Sequence, residues 1–182
     1  MDIEKVTDII HKISEGFEEA CLKCLDDHSG IIADAVREQL ESGQDGNGAP
    51  LSPTYLEDDY FRNRKIPWHR TDEDTGKTYV GAEGYRDWKQ DITPPVKGTM
   101  LGLPPRPADV PNLRIDGTFH SAINAKRVGD VIVIDPGNGR GPAIVSKYSD
   151  SILDMGPVAV EYFISTFMLP AIDSFLKECG YR

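Results

Sequence analysis

Residues 122–135 read AINAKRVGDVIVID, and this stretch decides the fold class. Two β-forming runs, 122–128 and 131–135, flank the pair Gly129-Asp130, and a two-residue link containing Gly between such runs is typical of a β-hairpin. The β-branched run at 131–134 is typical of a well-buried strand. A loop rich in Gly and Pro follows, and residues 143–145 (Ala-Ile-Val) predict a further strand. The stretch therefore predicts a small antiparallel sheet.

A helix is predicted at the N-terminal side of this sheet. Apolar residues fall three or four apart over residues 2–27, which predicts an amphipathic α-helix. The pattern resumes after Ser29 and ends at Ser42-Gly43, a helix-stop signal. Because Gly is a poor residue for a helix interior, we expect a break or kink near Gly30.

A second amphipathic helix is predicted at the C-terminal side. It begins at Gly156-Pro157, with proline suited to the first helical position, and continues with apolar residues three or four apart until Gly180. Pro170 is expected to kink it. Helices on both sides of a hairpin predict an α+β fold in which the long N-terminal and C-terminal helices pack on one face of the sheet.

The chain is predicted to be a single domain over residues 1–182, with three segments. Residues 1–42 form the N-terminal helical segment, 43–112 an extended arm, and 113–182 the hairpin and C-terminal helix. The arm holds 9 of the 13 prolines and 8 of the 17 glycines, and only 11 of its residues are Ile, Leu, Val, Met or Phe. We expect so little core material to leave the arm dependent on a partner for its order.

Aromatic residues in the arm argue against simple disorder, because disordered segments are poor in them. They are the predicted partner-binding residues, since buried aromatic anchors dominate many protein interfaces. The predicted set is Tyr55, Trp68, Tyr79, Tyr85 and Trp88.

Charge and composition exclude several classes of protein. The net charge of −10 disfavours a general nucleic-acid binder, because the surface repels phosphate. The composition is that of a soluble protein without a membrane span, and the first residues carry no secretory leader, so synthesis in the cytoplasm is expected. Residues 1–47 alone hold 12 acids and 4 bases, net −8, which predicts a strongly acidic first helix.

Cysteine and histidine spacing raises one enzymatic alternative. Cys21, Cys24 and His28 lie on one face of a helix, and Cys179 would supply a fourth zinc ligand. Structural zinc sites usually place their cysteine pair on a knuckle, and cysteine is also a common buried apolar residue. Because no other catalytic motif is present, the sequence predicts a protein that is not an enzyme and needs no cofactor or metal.

Several short motifs follow one another along the chain in a definite order. An amphipathic helix leads into DGNGAPLSPTY at 45–55, and YRDWK follows at 85–89. LRIDGTFHSAI at 113–123 precedes the hairpin. The pair Lys147-Tyr148 then precedes Met155-Gly156 and the last helix. The order of these motifs resembles that of the bacteriophage virion-morphogenesis or tail-completion proteins, which lie at the head–tail junction or tail end.

This resemblance implies a structural virion protein that forms a homo-oligomeric ring or adaptor at the head–tail connector, neck or tail. Its implied neighbours are portal, connector or tail proteins, and DNA would pass without specific binding. If the acidic first helix faces that channel, its charge would keep DNA from sticking. Two alternatives remain: a small metal-dependent enzyme using Cys21, Cys24 and His28, and a soluble adaptor that binds a cellular protein through the arm.

Overall fold

The N-terminal segment forms two helices. The computed structural model, which describes residues 2–137 and 139–181, places α1 at Ile3–Asp27 and α2 at Ser29–Glu41. Between them His28 leaves helical geometry, with φ −114° and ψ 20°. The predicted break is confirmed, although it falls two residues before Gly30, which lies inside α2.

The arm contains regular structure of its own. Strands β1 (His69–Thr71) and β2 (Thr78–Val80) pair antiparallel, with His69 opposite Val80. Helix α3 (Gly81–Ile92) follows β2 directly. The remainder of residues 43–112 is extended or turns, as the prolines predict.

The predicted hairpin at residues 122–135 is confirmed. Helix α4 (Thr118–Ala122) leads into β3 (Asn124–Val128), which pairs antiparallel with β4 (Val131–Asp135) across the two-residue turn. The expectation of a well-buried strand is wrong for one face, because Val131 and Val133 are 57% and 39% exposed. Only the inward face of the hairpin packs against helices. Successive side chains of β4 therefore alternate between partly buried and exposed positions.

Residues 143–145 form a helix and not the predicted strand. They lie within α5 (Gly141–Tyr148), which has a proline in its first turn and is followed by a 3₁₀ turn at Asp150–Leu153. Ile144 and Val145 pack against the main core, so tertiary contacts outweigh their β propensity. The preceding predicted loop includes Asn138, which lies outside the described residues.

The C-terminal helix, residues 157–178, has an irregular middle. It consists of α6 (Pro157–Phe163), a π-helical turn (Ile164–Met168) and α7 (Leu169–Glu178). Pro170 has no N–H to donate and would clash with a regular helical turn before it, and the π turn absorbs that misfit. The distortion predicted at Pro170 therefore takes the form of a wider turn that ends two residues before it.

The last helical stretch is unusually apolar. Asp150–Glu178 is long and apolar enough, by length and composition alone, to cross a membrane, and only 22% of its most apolar window is buried within the chain. Helices of soluble cores share that composition, and this one supplies Ile152, Ala159 and Phe163 to the buried interior. The helix therefore has an inner face that packs in the core and an outer face that no other part of the described chain covers.

All three segments contribute to the core. One cluster combines Val36 and Leu40 of α2, Leu51 of the arm, and Ile123 and Ile152 from beyond it. A second cluster brings the inward face of the hairpin together with α2 and the C-terminal helix, around Ile32 and Phe163. The α+β class, with long terminal helices and a small antiparallel sheet, is confirmed.

Candidate functional site

The five predicted partner-binding aromatics gather in one cluster. Hairpin β1–β2 and α3 bring the rings together, and Phe61 joins them. Tyr55 and Tyr85 meet edge to face with centroids 5.1 Å apart, and Phe61 stacks on Tyr85 at 3.8 Å. Trp68 lies 5.5 Å from Trp88. The cluster, called here the aromatic core, consists of Tyr55, Phe61, Trp68, Tyr79, Tyr85 and Trp88.

The burial of the aromatic core contradicts the expectation that the arm has too little core material of its own. Tyr55, Tyr79, Tyr85 and Trp88 are each at most 7% exposed within this single chain, and Trp68 is partly buried. The rings bury one another. Tyr and Trp side chains form a core as aliphatic ones do, and they are not among the 11 residues on which the expectation was based. The aromatic core therefore gives the arm a core of its own within this single chain.

Burial also changes the acid–base properties of this region. It raises the pKa of Tyr55 to about 12 and raises the pKa values of Tyr85 and Tyr148, because the charged phenolate is costly away from water. Arg106 is 3% exposed and donates to the carbonyl oxygens of Val110 and Thr93, both at 2.9 Å. Its guanidinium fastens two proline-rich stretches of the arm to each other.

Lys89 is the most deeply buried cation among the described residues. It lies on α3, is 1% exposed, and donates from Nζ to the carbonyl oxygen of Arg114. Burial, with the neighbouring charges of Arg106 and Arg114, lowers its pKa to about 7. Its hydrogen bond joins the arm to the segment that leads into α4. Lys89 therefore has a structural role.

Two carboxylates fasten the arm to the rest of the molecule. Glu38 on α2 accepts hydrogen bonds from the backbone N–H groups of Thr99, Met100 and Leu101, at 2.7 to 3.1 Å. Asp58 accepts a hydrogen bond from Lys147 of α5. The arm is thus anchored on both its N-terminal and C-terminal neighbours.

The proposed zinc ligands do not form a site. Among residues 2–137 and 139–181, no group of three or more His, Cys, Asp or Glu side chains is placed to hold a metal ion. Cys24 is 4% exposed, its Sγ lies 3.9 Å from Nδ1 of His28, and burial raises its thiol pKa. The His28 ring packs on Phe163 and Phe167. Cys24 and His28 thus serve as packing groups.

The acidic first helix is only partly neutralised within the chain. Lys12 and Lys23 pair with Asp8 and Asp27 on the helix surface. Glu19 accepts two hydrogen bonds of 2.8 Å from Arg127 of β3, which ties the hairpin to α1. The other carboxylates of α1 face solvent, so the predicted negative surface is present.

Exposed aliphatic side chains mark two surfaces on the terminal helices. The first, called the α1 stripe, consists of Ile3, Val6 and Ile10, which are 81%, 37% and 62% exposed. The second, called the outer C-terminal face, consists of Val160, Ile164 and Leu169, which are 40%, 43% and 55% exposed. Contiguous apolar exposure of this kind marks interaction surfaces. Sequence reasoning identified both helices but assigned their apolar residues to the core.

Comparison of the chain with family models, with curated proteins and with solved structures finds no match. The candidate functional site therefore rests on the geometry alone, and it consists of the α1 stripe and the outer C-terminal face.

Proposed function

We propose that this chain is a structural virion protein that assembles with copies of itself into a ring or adaptor at the head–tail connector, neck or tail of a bacteriophage. The observation that carries the proposal is the pair of uncovered apolar surfaces on one chain. A molecule with two different adhesive surfaces builds head-to-tail contacts, which generate a ring when the rotation closes.

The order of the sequence motifs supports the same proposal. The stretches at 45–55, 85–89 and 113–123, with Lys147-Tyr148, all resemble those of virion-morphogenesis proteins. In the fold they converge, because Tyr55 and Tyr85 share the aromatic core, and Lys89 bonds to residue 114. The shared motifs thus maintain the scaffold, and the terminal helices make the contacts to neighbours.

The acidic surface of α1 fits a position beside a DNA channel. Like charge repels the phosphate backbone, so a wall of this kind would let DNA pass without binding it. Portal, connector or tail proteins are the neighbours that such a position implies.

Removal of the gene from the phage that encodes it tests this function. We expect heads and tails to form separately and to remain unjoined or unfinished, and the protein supplied in trans to restore complete particles. A control strain carries the gene with the conservative change Glu4→Gln, on the charged side of α1, and should remain infectious. Complete, infectious particles in the absence of the gene would contradict the proposal.

A further inference from the structure

The α1 stripe is part of a longer seam with coiled-coil spacing. Ile3, Val6, Ile10, Ile13 and Phe17 are separated alternately by three and four residues. This spacing places the apolar residues in one row along α1, against which a second helix can pack. The positions that would flank the seam on both sides are uncharged: Thr7, Ile9, Ser14 and Gly16.

The C-terminal half of this seam already packs against a helix of the same chain. Phe17 meets Phe175 of α7 edge to face with centroids 6.4 Å apart, and Gly180 lies beside Ile9. The helical pairing within the chain thus ends level with Ile9, because α7 ends at Glu178. The α1 stripe continues the same seam towards the N-terminus, where Ile3 is 81% exposed.

The outer C-terminal face has the matching form. Val160 and Ile164 are four residues apart, and the π turn places Leu169 in line with them, since the N–H of Leu169 bonds to the carbonyl oxygen of Ile164. The three side chains therefore form one row on the helix. Residues 157–172 contain a single charged residue, Glu161.

We propose that the α1 stripe of one copy binds the outer C-terminal face of the next copy. Charge selects this pairing over two α1 helices binding each other, because residues 2–19 carry 6 acids and 2 bases, whereas residues 157–172 carry one acid. The contact repeats between copies the helix pairing that Phe17 and Phe175 make within one chain. The inference rests on the proposed function, since it names the surfaces through which the ring closes.

Two double variants of the full chain test the pairing. Ile3→Lys with Ile10→Lys places charges in the α1 stripe, and Ile164→Lys with Leu169→Lys places them in the outer C-terminal face. All four side chains are at least 43% exposed, so the fold should survive, and circular dichroism checks it. Glu4→Gln with Glu15→Gln is the control, because it makes the same change in net charge on another side of α1.

Sedimentation velocity at up to about 0.5 mM protein measures the self-association. We expect each double variant to weaken it by about 100-fold or more, because an unpaired charge would be buried, and the control to match the wild type. A mixture of the two double variants should form a 1:1 dimer and nothing larger, because that pair retains one intact contact.

Three results would overturn the inference. If the outer-face variant associates like the wild type, the seam binds another α1 helix. If both double variants and the wild type associate alike, the ring uses other surfaces, and the proposed function stands. If the wild type stays monomeric at about 0.5 mM, the two surfaces do not bind each other. Flotation with phosphatidylcholine vesicles that Ile164→Lys with Leu169→Lys abolishes would then show that the occupant is a lipid surface. The gene-removal experiment decides the proposed function independently.

Discussion

Lys147 donates a hydrogen bond to Asp58, although 89 residues separate the two along the chain. The Asp58 side chain is 7% exposed, and its other oxygen accepts from the N–H of Tyr60 at 3.0 Å. The contact holds the proline-rich arm against α5. The negative charge of Asp58 also contributes, after burial, to the raised pKa of Tyr85 in the aromatic core.

Loss of the Lys147 ammonium should destabilise the protein. Lys147→Met leaves a buried carboxylate without its charged donor, and we expect the free energy of unfolding to fall by about 1–3 kcal/mol in urea titrations. Lys177→Met is the matched control, because its pair with Asp173 is more than 60% exposed on both sides and should contribute about 0.5 kcal/mol or less. Equal effects of the two substitutions would show that the arm is not fastened at Asp58.

Truncation of Trp88 should unfold the arm and not merely weaken assembly. The side chain is 5% exposed in the aromatic core, so Trp88→Ala is expected to cost about 3–5 kcal/mol of folding stability. Tyr60→Ala, at a ring that is 69% exposed, should cost less than about 1 kcal/mol. Urea unfolding of both variants checks this, and a fully stable Trp88→Ala monomer would restore the view that the rings wait for a partner.

Lys89 should make stability rise with pH above neutrality. Its pKa is lowered to about 7 in the folded chain, so between pH 7 and 9 the unfolded chain binds more protons than the folded one. Stability therefore increases with pH in that window, by about 1–2 kcal/mol from this group. Lys89→Met should remove the increase. Denaturant titrations at pH 7 and 9 measure the free energy of unfolding of the variant and the wild type. An equal change with pH in both proteins would contradict the lowered pKa of Lys89.

Gly43 sits where no side chain fits. Its φ is +72°, and an added Cβ would lie 2.6 Å from Cγ1 of Val110. Gly43→Ala should lose about 1–2 kcal/mol from backbone strain and a further 1–3 kcal/mol from the clash. Gly102→Ala separates the two causes, because Gly102 has φ +67° with open space around it. Thermal or urea unfolding should rank Gly43→Ala clearly below Gly102→Ala.

The sequence predicted the elements whose signals are local. The turn at Gly129-Asp130, the proline that begins α6 and the three-four spacing of α1 each encode their structure within a few residues. The predicted strand at residues 143–145 is wrong, because tertiary packing decides whether such a short β-branched run becomes a helix or a strand.

The candidate site was less predictable. Periodicity shows that Ile3 and Ile10 lie on an apolar face, but it cannot show that α7 ends before it covers them. The burial of Tyr55 and Trp88 depends on contacts between distant parts of the arm, and Lys89 carried no sequence signal that distinguished it from a surface lysine. The alternating three-four spacing of apolar residues in α1 was the one available indication.

Electron cryo-microscopy of the intact particle tests the central claim most directly. The proposed function predicts several copies of this chain arranged around the particle axis at the neck or tail. The pairing of surfaces predicts that Ile3 and Ile10 of each copy contact Ile164 and Leu169 of the next. Particles whose neck and tail contain no copy of the chain, or only isolated copies that do not touch one another, would contradict it.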